Sequence, residues 1–166
     1  MTRQQYEKLT SPLRTPGRRR AIIGLNKLLT GSVYAAYILL CLYLLLTRDA
    51  YLIPLVLICG IPFVLLTVIR AKINAPRPYE VWDIEPLIPK DTKGRSFPSR
   101  HIFSTFLIAV AVCPVNVFLG AAVAVTGVLL AVIRVLGGVH FTKDVIAGGI
   151  IGILSGIAGL AVRALI

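Results

Sequence analysis

Apolar residues follow one another along most of the chain in long runs, and they do not alternate with polar residues as in a half-buried strand. The run from Tyr51 to Ile69 carries no charge and is long enough for a helix to cross a hydrocarbon core of about 30 Å. The run from Ile102 to Ile133 is too long for one crossing, and Pro114 to Asn116 form a turn signal within it, which predicts a tight helical hairpin. The pattern predicts an all-α membrane bundle of five spans, over residues 32–47, 51–69, the two arms of 102–133, and 145–162.

The first 30 residues differ from these runs because cations are interspersed with apolar positions. Arginines and lysines are dense up to Arg20, and apolar residues then alternate with Asn26 and Lys27. We expect residues 1–30 to form a basic amphipathic helix on the membrane surface, ahead of a catalytic core over residues 31–166 of the same single domain. The alternative is a first span that begins at Ala21 and continues without a break.

Composition agrees with a membrane protein. Of the 166 residues 57% are hydrophobic and only 15% are charged, with a mean hydropathy of +0.84, which excludes an ordinary soluble domain. The net charge of +11 lies in segments that flank the apolar runs, without interleaved aromatics, so the expected partners are the lipid bilayer and phosphate groups and not nucleic acid. Cys41, Cys59 and Cys113 all lie inside apolar stretches, where we expect them to be small apolar fillers.

The last span is rich in glycine. Gly148, Gly152 and Gly156 recur at the spacing that allows two membrane helices to pack closely. The polar stretch 70–101 contains several prolines, which exclude a long helix there, and we expect an ordered loop. With five spans, this loop, the stretch 134–144 and the N-terminus lie on the same side of the membrane.

The chain has two histidines, and each lies in one of these polar stretches beside an arginine. If a helix begins near His140, Asp144 lies on the same face and can hold one imidazole nitrogen while the other faces a substrate. Such a pair makes the imidazole an oriented nucleophile or base. Gly137 and Gly138 allow a tight turn that brings the Arg134 guanidinium towards the imidazole. The alternative is a short polar connector in which the histidine and the aspartate merely pair.

Two further stretches add cations on the same side. Arg70, Lys72 and Arg77 cluster where the second span ends, and residues 98–101 immediately precede a helix, whose first N–H groups bind anions well. His101 lies beside that anion site. Two such cations ~4 Å apart repel by about 4 kcal/mol at an effective dielectric constant of about 20, and a bound phosphate would relieve this repulsion. The alternative is that these cations only anchor the helices at the membrane interface.

Together the three stretches resemble the signature of the type 2 phosphatidic acid phosphatase superfamily of membrane lipid phosphatases, which runs Lys-x6-Arg-Pro, Pro-Ser-Gly-His and Ser-Arg-x5-His-x3-Asp. Arg70, Arg100 and Ile133 stand where this pattern has Lys, Gly and Ser. Members of this superfamily normally have six spans, and the basic N-terminal helix would replace the first of them. The positions that match are Arg77, Pro78, Pro98, Ser99, His101, Arg134, His140 and Asp144.

The resemblance implies a metal-independent hydrolase of a membrane lipid phosphate that works through a phosphohistidine. His140 would attack phosphorus, Asp144 would orient it, and His101 would protonate the leaving oxygen and then activate water. We expect no cofactor, because neither the His and Cys spacing nor the acidic residues of the loop offer a metal site, and the acids Glu80, Asp83, Glu85 and Asp91 are expected to be solvated. The implied phosphate ligands are Arg70, Lys72, Arg77, Ser99, Arg100 and Arg134.

The substrate class stays open at this point. Polyprenyl pyrophosphates such as undecaprenyl pyrophosphate, phosphatidylglycerophosphate and phosphatidate are all compatible with the resemblance. A lipid phosphotransferase on the same scaffold and a non-catalytic lipid-binding protein are the alternatives, and Arg100 and Ile133 are the residues that make the second of these conceivable. All of the 18 lysines and arginines except Arg48 and Arg163 fall on the loop side, so the positive-inside rule predicts that the site faces the cytoplasm at the cell membrane.

Overall fold

The computed structural model describes residues 2–165, which form a helical bundle without β-strands. Four of the helices, α2, α3, α6 and α7, are long and apolar enough to cross a membrane, and α5 is apolar but shorter. The prediction of an all-helical membrane bundle is confirmed. In chain order the helices are α1 (Arg3–Thr10), α2 (Pro16–Leu46), α3 (Leu52–Ile73), α4 (Pro78–Trp82), α5 (Arg100–Val112), α6 (Val117–Leu136) and α7 (Thr142–Leu165).

The amphipathic N-terminal helix is shorter than predicted. It is α1, which ends at Thr10, whereas α2 runs from Pro16 to Leu46 without a break. The predicted boundary near residue 30 is therefore wrong, and the alternative of a continuous first span is right, although the helix begins at Pro16 and not at Ala21. The physical reason is tertiary: Ile22 and Leu29 pack against a buried cluster that includes Ile88 and Val139, so these apolar positions contact protein and not a membrane surface.

The predicted hairpin is confirmed. The helix α5 ends at Val112 and α6 begins at Val117. Asn116 caps α6, because its side-chain oxygen accepts a hydrogen bond from the N–H of Leu119 at 2.9 Å. At the opposite end of the bundle α3 ends at Ile73, and the next residue, Asn74, has a left-handed φ of 44° that turns the chain into the long loop.

The glycines of α7 let it pack directly on the backbone of α5. A Cβ atom at Gly148 would lie 2.6 Å from the carbonyl oxygen of Ser99, and one at Gly152 would collide with the carbonyl of Phe103. The close packing predicted from the glycine spacing is confirmed. This contact fixes the N-terminal ends of α5 and α7 side by side, where the N–H of Ser99 donates to the carbonyl of Asp144 at 2.8 Å.

The long loop and the α6–α7 loop meet at one end of the bundle. The N–H of Ile88 donates to the carbonyl of Gly137 at 3.2 Å. Gly138 has a φ of 74°, a conformation that favours glycine, and a side chain there would also meet the ring of Tyr6 from α1. At the other end Arg163 lies over the ring of Tyr51, 4.4 Å from its centroid. The polar stretches singled out in the sequence therefore converge on one side.

Candidate active site

His140 lies in the short loop between α6 and α7, two residues before the helix begins at Thr142. The prediction that a helix begins near His140 is therefore correct to within two residues. Asp144 lies in the first turn, where its Oδ2 accepts the N–H of Phe141 at 3.0 Å. The same oxygen lies 3.6 Å from Nδ1 of His140, and both side chains are buried. Asp144 thus fixes the Nδ1 side of the ring and leaves Nε2 for a substrate.

Ser96 completes this pair and was missed from the sequence. Its hydroxyl donates to Oδ2 of Asp144 at 2.6 Å and lies 3.4 Å from Nδ1 of His140. The side chain is fully buried, and the N–H of Ser96 donates to the carbonyl of Ala75 at 2.8 Å. The hydroxyl therefore sits between the carboxylate and the imidazole. A single serine in a loop has no periodic signal, and only its closeness to Pro98 and His101 in the sequence pointed to it.

The environment keeps the His140 imidazole neutral. Burial lowers the pKa of His140 to about 4; the Asp144 carboxylate acts in the opposite direction, and the charges of Arg77 and Arg134 lower the pKa further. At pH 7 the ring carries one proton, and with that proton on Nδ1 the lone pair is on Nε2. This is the protonation state that a nucleophile requires.

The His101 ring, unlike that of His140, is not oriented by a neighbouring side chain. It lies in the first turn of α5, and its imidazole forms no hydrogen bond within residues 2–165. The ionisable groups that act electrostatically on this ring are Arg134, His140, Arg100 and Lys90. The ring lines a small cleft between α2, α5 and α6. The structure thus brings together two histidines that are far apart in the sequence.

Two of the predicted arginines tie the loops together. Arg77 donates from Nε to the carbonyl of Gly94 and from Nη1 to the carbonyl of Val139, each at 3.0 Å. Arg70 donates to the carbonyls of Pro98 and Arg95. The bond from Arg77 to Val139 joins the long loop to the loop that carries His140, and the Arg70 bonds join α3 to the long loop. Both arginines therefore support the site as well as supplying charge.

Arg134 has no such partners. Its side chain is 5% exposed, and its Nε has no hydrogen-bond partner within the described residues. None of Arg70, Arg77 and Arg134 pairs with a carboxylate in this part of the chain. A buried guanidinium without a partner is costly, and an anion at this position would remove the cost.

Three other predicted phosphate ligands, Lys72, Arg100 and Ser99, have less support from the structure. Lys72 is exposed at the end of α3 and forms no hydrogen bond or ion pair with residues 2–165, so nothing joins it to the cluster. Arg100 is exposed, with its guanidinium 5.5 Å from the centroid of the Phe63 ring. The N–H of Ser99 is used by Asp144, but its hydroxyl is buried without a partner, and the N–H groups of the next residues have no backbone acceptor in the described chain.

Lys90 adds to the positive charge of the cluster, and the sequence motifs did not single it out. Its side chain is half-buried. Burial lowers the pKa of Lys90, and the charges of Arg77, Arg134, Arg100 and Arg70 lower it further. Lys90 has no ion pair with a carboxylate in residues 2–165, so it adds to the uncompensated positive charge around these arginines. Its segment is positioned by a backbone bond between distant loops, which no sequence pattern indicates.

Glu80 and Glu85, two acids that were expected to be solvated, bond to other parts of the chain, although Glu85 is exposed as expected. Oε2 of Glu80 accepts the N–H groups of Arg77 at 2.8 Å and of Gly94 at 2.9 Å. Glu85 forms an ion pair with Arg19 of α2 at 2.7 Å. Over residues 2–165 no group of three or more His, Cys, Asp or Glu side chains gathers in a way that could hold a metal ion, and the cysteines are free.

Comparisons with known proteins agree with this arrangement. The family model described as PAP2 superfamily matches residues 51–164. The structure is similar to the crystal structure of Aquifex aeolicus LpxE, with a TM-score of 0.73 and 28% sequence identity over 95% of this chain and 93% of that chain. No curated protein sequence matches the chain.

A second solved structure shares the fold. It is the transmembrane PAP2-type phosphatidylglycerolphosphate phosphatase from Bacillus subtilis, with a TM-score of 0.61 and 19% identity over 98% of this chain and 94% of that chain. At this identity the likeness concerns the fold alone. Both structures extend over α2, which lies outside the segment that the family model matches.

Proposed function

The chain belongs to the PAP2 superfamily and is a multi-pass membrane lipid phosphatase, and we propose that it hydrolyses a lipid phosphate or pyrophosphate through a phosphohistidine on His140. The observation that carries the mechanism is the unpartnered, buried Arg134 guanidinium beside a neutral imidazole that is oriented by Asp144. An oriented nucleophile and an unoccupied anion site in one place suit phosphoryl transfer.

In the first step Nε2 of His140 attacks phosphorus in line with the leaving oxygen. The bond from phosphorus to that oxygen breaks, and His101 gives the oxygen a proton. A phosphate monoester thus loses its lipid alcohol, and a pyrophosphate loses its lipid monophosphate. A bound phosphate dianion favours the protonated form of His101, because opposite charges stabilise each other at short range. Asp144 and Ser96 hold the Nδ1 side of His140 while its ring gains positive charge.

In the second step water replaces the histidine. His101 takes a proton from the water, whose oxygen attacks phosphorus, and the bond to Nε2 breaks to release inorganic phosphate. Arg134 and the first N–H groups of α5 stabilise the equatorial oxygens, where negative charge is concentrated in the transition state. Arg77 and Arg70 assist from their carbonyl-bound positions, and Lys90 and Arg100 add positive charge to the region. No step requires a metal ion.

The side chain at Arg100 does not argue against catalysis. It lies over Phe63 and is exposed, so it leaves the start of α5 open to phosphate. This supports the hydrolase over a non-catalytic lipid-binding protein. Phosphatidylglycerophosphate, phosphatidate and polyprenyl pyrophosphate remain the candidate substrates.

The test is release of inorganic phosphate by the detergent-purified protein from these three lipids, with the His140→Ala variant alongside. We expect release by the wild type alone, together with an acid-labile, base-stable phosphoenzyme that the variant lacks. Turnover that leaves no phosphoenzyme and survives His140→Ala would contradict the mechanism. Phosphate that appears on an added alcohol instead of in water would indicate a phosphotransferase.

We also propose that the site faces the cytoplasm, because the excess of cations on the loop side persists when those near the motifs are left out. Asp91 is exposed in the long loop and Asp49 is exposed at the opposite end of the bundle. In a chain whose native cysteines are replaced by alanine, Asp49→Cys should react with an impermeant thiol reagent in intact cells, and Asp91→Cys should not. The reverse pattern would place the site outside.

A further inference from the structure

The helix α1 packs against the loop that carries His140. Tyr6 of α1 is fully buried, and its ring lies on the backbone of Gly138. A Cβ atom at Gly138 would be 2.5 Å from the Tyr6 hydroxyl oxygen and 3.1 Å from Cζ of the ring. Gly138 precedes His140 by two residues. The mechanism above gives α1 no part, and α1 precedes the segment matched by the family model.

A row of three aromatic rings extends this contact to the other side of His140. The ring centroids of Tyr6 and of Trp82 in α4 are 5.5 Å apart, and Trp82 meets Phe141 edge to face at 5.2 Å. Both distances lie in the range in which aromatic rings attract each other. Because Phe141 directly follows His140, the row ends beside the residue that carries the nucleophile.

Tyr6 is itself fixed by the chain around it. The buried Thr10 hydroxyl donates to the carbonyl of Tyr6 at 2.8 Å. After α1, Arg14 donates to the carbonyl of Glu85 at 3.1 Å, and Arg19 forms an ion pair with the Glu85 carboxylate at 2.7 Å. These bonds attach the N-terminal segment to the long loop, so the Tyr6 ring is held from both sides.

The backbone around His140 is also held by the long loop. The carbonyl of Gly137 accepts the N–H of Ile88 at 3.2 Å, and the carbonyl of Val139 accepts Nη1 of Arg77 at 3.0 Å. A misplacement of about 1 Å between reacting atoms can cost about 10²-fold in rate. Contacts that restrain this short loop therefore bear on the rate of attack as well as on stability.

We propose that Tyr6 is a positioning residue for the nucleophile: together with Trp82 it holds the loop on either side of His140 and keeps Nε2 in line with phosphorus. This rests on the proposed function, in which His140 attacks phosphorus. Tyr6 acts through Gly138 and Phe141 and not on the substrate. The ring carries this role, because the hydroxyl is buried without a hydrogen-bond partner in the described chain.

The experiment measures steady-state kinetics and the rate of phosphoenzyme formation for Tyr6→Leu, on whichever of the three lipids the wild type hydrolyses. All rates are expressed per folded protein. We expect kcat and the rate of phosphoenzyme formation to fall by about 5- to 50-fold, because the imidazole is less often in line. KM should stay unchanged, since the phosphate ligands are untouched. Tyr6→Phe should retain the wild-type rates.

Trp82→Leu is an independent probe of the aromatic row, and it decides the question if Tyr6→Leu does not fold. It should slow phosphoenzyme formation in the same way. The double variant with both substitutions should lose less than the product of the two single losses, because the two rings act as one unit.

The matched control is Tyr51→Leu, at the opposite end of the bundle. Tyr51 is 4% exposed, and its hydroxyl donates to the carbonyl of Ala111 at 2.6 Å. The substitution should lower the thermal stability and leave the kcat of the folded protein unchanged. It therefore separates a general loss of packing from a loss of packing on the catalytic loop.

Wild-type kcat in folded Tyr6→Leu, or in Trp82→Leu where the first variant does not fold, would overturn the inference. So would a rise in KM at constant kcat, or a loss in Tyr6→Phe as large as that in Tyr6→Leu. If the wild type still shows a His140-dependent phosphoenzyme, each of these results leaves the proposed function intact. A wild type that forms no phosphoenzyme and releases no phosphate from any lipid overturns both.

Discussion

The two histidines of the site lie in regions that are built for different tasks. His140 is buried in a loop, with Asp144 and Ser96 on its Nδ1 side. His101 lies in the first turn of α5, where it is partly buried, and its ring makes no hydrogen bond to the described residues. A nucleophile must reach phosphorus along one line, whereas an acid and base must serve both a departing alcohol and an arriving water. The imidazole of His140 is oriented by fixed partners, whereas that of His101 has no hydrogen-bond partner in the described chain and can serve both.

The strongest test of this contrast separates the two half-reactions. On a lipid phosphate analogue with a nitrophenolate leaving group, which departs without a proton donor, His140→Ala should show neither a phosphoenzyme nor turnover. His101→Ala should still be phosphorylated but should lose about 10²- to 10⁴-fold in turnover, because water is no longer activated. The measurement is the phosphoenzyme level after acid quench. A phosphoenzyme in His140→Ala would assign the nucleophile elsewhere.

The arginines extend the contrast, because Arg134 is unpartnered and Arg70 is bonded to carbonyls. Arg134→Gln should lower kcat by about 10²- to 10³-fold while the protein stays as stable as the wild type or becomes more stable. Arg70→Gln should lower the free energy of unfolding by about 1–3 kcal/mol in addition to any kinetic effect. Kinetics and thermal unfolding in detergent measure both.

Lys72→Gln is the matched control for these arginine variants. Its side chain is exposed and joins no part of the cluster, so its activity and stability should equal those of the wild type. A large loss of kcat/KM in this variant would mean that Lys72 binds phosphate, as its position in the sequence suggests.

Ser96 should matter less than the charged groups. Ser96→Ala removes the hydroxyl between Asp144 and His140, and we expect kcat to fall by about 3- to 10-fold with KM unchanged. Ser32→Ala is the control, because that hydroxyl is exposed and bonded within its own helix. A change in KM alone would mean that Ser96 acts on substrate binding and not on the imidazole.

The pH dependence of stability reports on the burial of His140. Its folded pKa, about 4, lies below the ordinary value of 6.5, so the unfolded chain binds the extra proton first as the pH falls. The wild type should therefore lose stability between pH 6.5 and pH 4, and His140→Gln should lose less over the same interval. Thermal unfolding at both ends of the interval measures this. Equal losses would mean that the ring is not buried in the neutral form.

The smallest expected effect is that of chelators. The mechanism uses only side chains and backbone N–H groups, so phosphate release should be unchanged after dialysis against EDTA. A full loss that added divalent cations restore would contradict the metal-free mechanism.

Much of this architecture followed from sequence patterns. The apolar runs predicted the helices, Pro114 to Asn116 predicted the hairpin turn, and the glycine spacing of the last span predicted its close packing on α5. These features are local, because they depend on the length of a run, on a helix breaker or on the absence of a side chain. The length of α2 could not be predicted from such local features, because it depends on packing of Ile22 and Leu29 against distant residues.

The sequence by itself determined that the chain enters a membrane and that His101, Arg134, His140 and Asp144 belong to polar stretches on one side. Only the tertiary structure decided which polar groups meet. It placed Ser96 between Asp144 and His140, and it left Lys72 exposed. The physical reason is that lipid and protein interior are equally apolar, so hydropathy cannot indicate which face of a span contacts protein. That choice depends on backbone bonds between distant loops and on the packing of α5 against α7.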